Sequence, residues 1–264
     1  YTGTAYHGWQ YQNATTPTVQ LRLQQALSTI ANEPVELICA GRTDTGVHAT
    51  QQVVHFDTTA VRPSKAWTLG TNAHLPNDIS VNWSQVVKPD FHARFSATAR
   101  HYHYVILNQR VRSGLFPGAM TVDHRPLDAE RMHQAAQALL GENDFSSFRA
   151  ASCQSRTPMR FMERISVDRL GNLVVIRVRA NAFLHHMVRN LAGVLMDIGA
   201  GNKPVSWAAE LLELRDRSQG SVTAPPDGLY LVDVDYPQHF GIPEGPFLPH
   251  FFALLSESEV KPLS

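Results

Sequence analysis

The chain has 264 residues, 43% of them hydrophobic and 17% charged, enough for one large domain or two ordinary ones around a real apolar core. Its 23 basic and 23 acidic side chains cancel, which argues against a generally basic nucleic-acid coat and leaves room for a local basic groove. No signal peptide is visible, and no apolar run approaches membrane-spanning length; the longest, residues 191–198, contains Asp197.

The chain opens at Tyr1 rather than Met, and a preceding segment, up to a whole first strand, is expected. Residues 1–12, rich in aromatics and glycine, read as a loop leaving that strand. Thr18 is placed to cap a helix whose apolar stripe is Val19, Leu23, Ala26, Leu27 and Ile30, ended by Pro34. Residues 35–40 and 51–56 read as strands, 64–72 as a short helix, and 79–87 and 101–107 as alternating strands. Residues 128–140 form the next helix by pattern, with Met132, Ala135, Ala136, Leu139 and Leu140 on its apolar side. Residues 161–167 and 173–178 read as a hairpin turning at Gly171-Asn172. A long helix over 183–198, a shorter one over 207–214 and a strand over 230–234 follow. The Pro- and Gly-rich stretch 236–249 reads as a surface-running extension, with a small apolar patch at 251–255. The expected class is α+β.

The stretch of densest chemistry is Gly41-Arg42-Thr43-Asp44-Thr45-Gly46-Val47-His48, directly after an apolar run. Residues two apart in an extended segment face the same way, so Arg42 and Asp44 can share one surface. A guanidinium beside a carboxylate favours the ionised form that a carboxylate nucleophile needs. Taken locally, the same residues also make a surface turn with a weak ion pair. Phe91-His92-Ala93-Arg94-Phe95, running on to Arg100, interleaves cations with aromatics, which suits phosphate contact and base stacking and equally suits an edge strand. In the strand that follows, Tyr102 and Tyr104 fall on one face, His101 and His103 on the other. Cys153-Gln154-Ser155-Arg156 lies in a polar, basic loop able to hold phosphate or simply to connect elements.

Cys39 and Cys153 lack metal-type spacing, and a reducing cytosol is their simplest setting. The pairs His101/His103 and His185/His186 have no acidic or thiol ligand near them in sequence, and the second pair would diverge on the long helix; no metal is expected. Phosphate-loop, dinucleotide, nucleophile-elbow and metalloprotease patterns are all missing. A reaction without redox cofactor or nucleoside triphosphate fits best.

At these residues the chain resembles the bacterial tRNA pseudouridine synthase A family. Tyr1-Thr2-Gly3, Gly8-Trp9-Gln10, the block from Gly41 to Ala49, and Phe91 to Phe95 match. So do Arg100 with Tyr102 and Tyr104, Gln154-Ser155-Arg156-Thr157, the run His185 to Asn190, and Gly228-Leu229-Tyr230-Leu231. The resemblance implies isomerisation of uridine to pseudouridine at positions 38–40 of the tRNA anticodon arm, by a cytoplasmic homodimer with no cofactor and no metal. It implies two ferredoxin-like, RNP-like α/β lobes, residues 1–100 and 101–264, forming a continuous, mostly antiparallel sheet flanked by helices, with the active-site cleft between them. Asp44 would be the nucleophile, reached by a uridine flipped from its stack. Arg42 would fill the gap or hold phosphate and keep Asp44 ionised. Tyr102 would stack on the uracil and take the C5 proton, and Leu229, in preference to Leu231, would pack on the other face. Arg62, Phe91, His92, Ala93, Arg94, Phe95, Arg110, Ser152, Cys153, Gln154, Ser155 and Arg156 would touch RNA. Met187, Val188 and Leu191 read as core. The rival readings are a catalytically inactive RNA-binding module of the same fold and, less well supported, a metal-dependent hydrolase using the histidines.

Overall fold

The structure, a computed structural model, describes residues 1–245 and 247–249; the apolar patch expected at 251–255 lies outside them. Helix α1 (Val19–Ala31) begins where the Thr18 hydroxyl accepts from the Leu21 amide and ends where Asn32 turns left-handed at φ 59°. Three two-residue strands follow: β1 (Ile38–Cys39), β2 (His48–Ala49) and β3 (Val54–His55). A wide π-helical turn spans Ala66–Gly70, inside the expected short helix. Then come β4 (Ala99–Asn108), β5 (Thr121–Asp123), α2 (Ala129–Gln137), β6 (Gly141–Asp144), β7 (Met159–Leu170) and β8 (Leu173–Ala180). Helices α3 (Met187–Gly199) and α4 (Trp207–Leu214) precede β9 (Leu229–Asp235).

Among the described residues, seven strands form one sheet in the order β2-β9-β4-β8-β7-β6, with β5 alongside β4. The β2–β9 and β4–β5 ladders are parallel and the others antiparallel. The architecture is the expected α+β, a mostly antiparallel sheet flanked by helices. Continuity holds from β2 to β6, while β1 and β3 pair in a separate two-stranded ladder. The β7–β8 hairpin turns at Gly171-Asn172 as expected, with Leu170 opposite Leu173 and Gly171 at φ 57°.

Four expected elements differ. The strands over 35–40 and 51–56 shrink to β1 and β3. No strand forms over 79–87, although the pattern alternates: the Asn72 side chain satisfies Val81 at both amide and carbonyl, 2.7 and 2.9 Å, so no ladder partner is needed. The long helix starts at Met187, not at residue 183, because His186 adopts a left-handed backbone, φ 61°.

Helix α3 is mostly apolar and is buried against β4, α2 and α4 except at Arg189, which faces the cleft, and Asp197. It shares a core with Tyr104, Ile106 and Leu231 of the sheet and Met132 of α2. A second core gathers Tyr6, Trp9, Val35, Leu37, Cys39 and Ile79 around Leu23 and Leu27 of α1. Cys39 belongs to the second core and Ala40 to the first. The chain thus passes from one core to the other just before Asp44.

On the sheet face opposite Tyr102 and Tyr104, His103 is buried and its Nδ1 has no partner. Burial, then the neighbouring Arg177 and His101, push its pKa down to about 4. The unfolded chain takes up this proton near pH 6.5 while the folded chain refuses it until about 4, so His103 withdraws stability as pH falls through that window. Urea midpoints should therefore correspond to about 2 kcal/mol less stability from this group at pH 5 than at pH 7. His103→Gln should flatten that pH dependence; an unchanged slope would contradict it.

Candidate active site

The loop after β1 is clamped before it reaches Asp44. The Tyr1 hydroxyl meets Thr43 Oγ1 at 2.7 Å, and the Trp9 amide donates to the Thr43 carbonyl at 3.0 Å. Gly46, at φ 79°, turns the chain, and its amide donates to the Tyr6 carbonyl. A side chain there would adopt a conformation disfavoured for L-residues and press on Pro226. Past the turn, His48 is buried and ties four segments together. Its Nδ1 accepts from the Gly3 amide at 3.0 Å, so Nε2 carries the hydrogen and faces the carbonyls of Gly118 and Asp227 at 2.9 and 3.0 Å. Its ring stacks on Tyr230 at 4.6 Å. Burial lowers its pKa, in keeping with a neutral ring.

Asp44 projects into a cleft of about 970 Å³ shared with Arg42, Arg94, Tyr102, His186, Arg189 and Leu229. Its side chain is 25% exposed, reachable but sheltered. His185 Nε2 lies 3.3 Å from Oδ1, His186 Nε2 3.5 Å from Oδ2, and Arg189 Nη1 3.7 Å from Oδ2. Arg189 is oriented by its Nε, which donates to the Ala224 carbonyl at 2.8 Å. Ser152 Oγ sits 3.1 Å from His185 Nδ1. Burial lowers the pKa of His186, and the Asp44 charge works against that shift. The donors of Asp44, His185 and His186 lie within 4.8 Å of one another, so these three could hold a metal ion. A second such group, His101, Asp233 and Asp235, is already engaged: Asp235 binds His101 and Arg179.

Two expectations about the carboxylate need correction. Its guanidinium is Arg189, not Arg42: Arg42 lines the cleft, exposed and without an ion pair to Asp44. The histidine pair does not diverge along a helix. Because His186 precedes α3 in a left-handed conformation, both rings converge on Asp44, 4.0 Å apart. The carboxylate missing from their sequence neighbourhood comes from the distant loop.

Tyr102 is buried, its ring edge-on to Phe183 at 5.0 Å, and burial raises its phenol pKa far above neutrality. Leu229 lines the cleft, whereas Leu231 is fully buried in the sheet.

Comparison with known proteins shows the family. The family model described as tRNA pseudouridine synthase matches residues 1–96 and 135–237. The chain belongs to that family. It is 58% identical over 253 residues to the tRNA pseudouridine synthase A of Cronobacter sakazakii, covering 96% of this chain and 93% of that protein. It is equally close to the tRNA pseudouridine synthase A of Shewanella amazonensis, 58% identical over 94% of this chain and 97% of the relative. A crystal structure of a Cbf5-Nop10-Gar1 complex is a distant match, TM-score 0.34 at 11% identity over 88% of this chain and 56% of that one, too loose to bear on the fold.

The remaining residues expected to meet RNA divide by position. Arg94, Ser152, Cys153, Gln154 and Ser155 line the cleft of this tRNA pseudouridine synthase family member. Phe95 is 75% exposed, stacks on His92 at 4.2 Å and carries Arg94 over its ring. Phe91 and Ala93 are both buried, Phe91 against Tyr236 and Phe240, Ala93 with its carbonyl accepting from the Tyr236 hydroxyl. Arg62 lies outside the cleft lining and donates to the carbonyls of Ile30 and Ala31 at the end of α1. Arg156 is exposed beside the cleft, outside its lining. Arg110 follows the far end of β4, with roughly 20 Å of strand between Tyr102 and Asn108. Gly46→Ala should cost about 1–2 kcal/mol of stability by urea unfolding, with a loss of turnover beyond what unfolding explains; unchanged stability and turnover would show that the turn does not set Asp44.

Proposed function

We propose that this enzyme isomerises uridine to pseudouridine at positions 38–40 of the tRNA anticodon arm, without a cofactor, using Asp44 as nucleophile. The observation that carries the proposal is one carboxylate facing a nucleotide-sized cleft, held by an arginine and two imidazoles, with a tyrosine and a leucine on the same walls. The target base is stacked in its stem and must be extruded, at a cost of a few kcal/mol. Arg42, whose guanidinium is unpaired toward Asp44, is free to take the vacated position or a phosphate.

Asp44 bonds to the ribose C1′ or to C6 of the base. The N1–C1′ bond breaks, the ring turns, and C1′ bonds to C5; the Asp44 oxygen leaves the carbon it had joined and is again a carboxylate, C5 loses its proton and N1 gains one, so the isomerisation balances without oxidant or reductant. Tyr102 packs on the extruded uracil and Leu229 on its other side. Because burial keeps the phenol protonated at neutral pH, Tyr102 suits stacking and hydrogen-bond donation better than removal of the C5 proton.

Arg42, Arg94, Arg100 and Arg189 bring positive charge to the cleft of a chain that is neutral as a whole. Phe95 and His92 extend an aromatic surface beside it. A division into lobes at residue 100, a homodimer and a cytoplasmic location belong to the same reading. Among the described residues no helix is long and apolar enough to cross a membrane.

Asp44→Asn should abolish release of tritium from C5-labelled uridine in tRNA while tRNA affinity stays within about tenfold, roughly 1.4 kcal/mol; persistent release would remove Asp44 from the chemistry. Arg94→Ala should weaken tRNA binding and reduce the slope of log affinity against log salt by about one unit. An unaltered slope would clear Arg94 of phosphate contact.

A further inference from the structure

The same carboxylate and the two imidazoles meet the geometric demands of a transition-metal ion. We propose that Asp44, His185 and His186 form a binding site for zinc(II) or a similar borderline-soft divalent cation, and that the bound ion silences the enzyme. Tetrahedral zinc with bonds of 2.0–2.1 Å places its ligands about 3.3–3.4 Å apart. His185 Nε2 lies 3.3 Å from Oδ1 and His186 Nε2 3.5 Å from Oδ2, and the three donors all lie within 4.8 Å of one another, so small side-chain rotations bring them to the spacing the ion needs.

The surroundings agree. A metal-binding imidazole needs its other nitrogen held by a partner, which fixes the ring and its tautomer. The hydroxyl of Ser152, 3.1 Å from His185 Nδ1, can accept that hydrogen and leave the lone pair of Nε2 toward Asp44. His186 carries the positive φ of 61° that turns its ring to the same point, and its carbonyl accepts from Asn190 at the start of α3. All three side chains are partly exposed to the cleft, so an ion can enter and keep water as a fourth ligand. Two nitrogen donors to one oxygen select zinc-like ions over magnesium, which prefers oxygen. Arg189, 3.7 Å from Asp44 Oδ2, opposes a second cation, and Arg217 adds to that field. The site is therefore a reversible one, weaker than a closed structural zinc site.

Metal binding stands on geometry alone; the silencing rests on the role of Asp44 proposed above. An oxygen lone pair committed to a metal cannot attack carbon, and the ion occupies the space the extruded base must enter. The isomerisation itself requires no metal, so the ion acts purely as an inhibitor.

Cobalt(II), with visible absorption bands that report tetrahedral coordination, is the probe. Titrating it into the full chain should give a saturable 1:1 spectrum that zinc displaces, without the near-ultraviolet band of a thiolate ligand. His185→Ala, His186→Gln and Asp44→Asn, each checked for folding by thermal melting, should weaken binding at least about tenfold. His101→Gln, in the other histidine–carboxylate group, should not. No tetrahedral spectrum, or an affinity untouched by whichever of the three substitutions folds, overturns the site. Zinc at saturation should stop tritium release and a chelator restore it; full turnover with zinc bound overturns the silencing. If no sample turns over tRNA while the cobalt spectrum appears as expected, the proposed reaction fails and the metal site stands.

Discussion

The position of one carboxylate governs this molecule. Asp44 is met by His185, His186 and Arg189, which come from the start of α3, far along the chain. A cation and two imidazoles can be kept around a carboxylate only if both segments are fixed to within fractions of an ångström, because electrostatic and hydrogen-bonding reach falls away quickly. Much of the fold can be read as meeting that tolerance. Helix α3 is held by apolar packing on every side but the one that faces the cleft, which restrains its first turn. The Asp44 loop is fixed by backbone and side-chain bonds from residues 1–9 and by the four-way joint at His48.

The two cores explain why the site opens where it does. Cys39 packs in one and Ala40 in the other, so the Asp44 loop leaves the protein at their junction, where neither core covers it. Arg100 reinforces the junction by donating to the carbonyls of Ala40, Arg94, Ala97 and Asn181. Its charge lines the cleft while its hydrogen bonds hold the walls in place. Structural and electrostatic roles coincide in this one side chain.

What could be read in advance was whatever local pattern decides. The stripe from Val19 to Leu27 with its Thr18 cap, the Gly171-Asn172 hairpin and the short helix α4 are governed by neighbours in sequence, and they form as read. The strand expected over 79–87 failed because a side chain from elsewhere, Asn72, supplied the hydrogen bonds that a ladder would have supplied. Asp44 was legible from its motif, but its partners were not. Arg42 is its neighbour in sequence and Arg189 its neighbour in space. The convergence of the histidines depended on the left-handed backbone of His186, which a residue type other than glycine does not announce. The signal that was available is the spacing of His186 and Arg189, three apart at a helix start, which places both on one face. Within the aromatic–basic stretch, burial of Phe91 and Ala93 beneath Tyr236 split a run that in sequence looks uniformly suited to RNA.

The most direct test of the account is a structure of the protein bound to a tRNA anticodon arm. The account predicts a uridine rotated out of its stem into the cleft, its base between Tyr102 and Leu229, with an Asp44 oxygen within bonding approach of C1′ or C6. A complex in which every uridine remains stacked, or in which the extruded base lies against another wall of the protein away from Asp44, would contradict it.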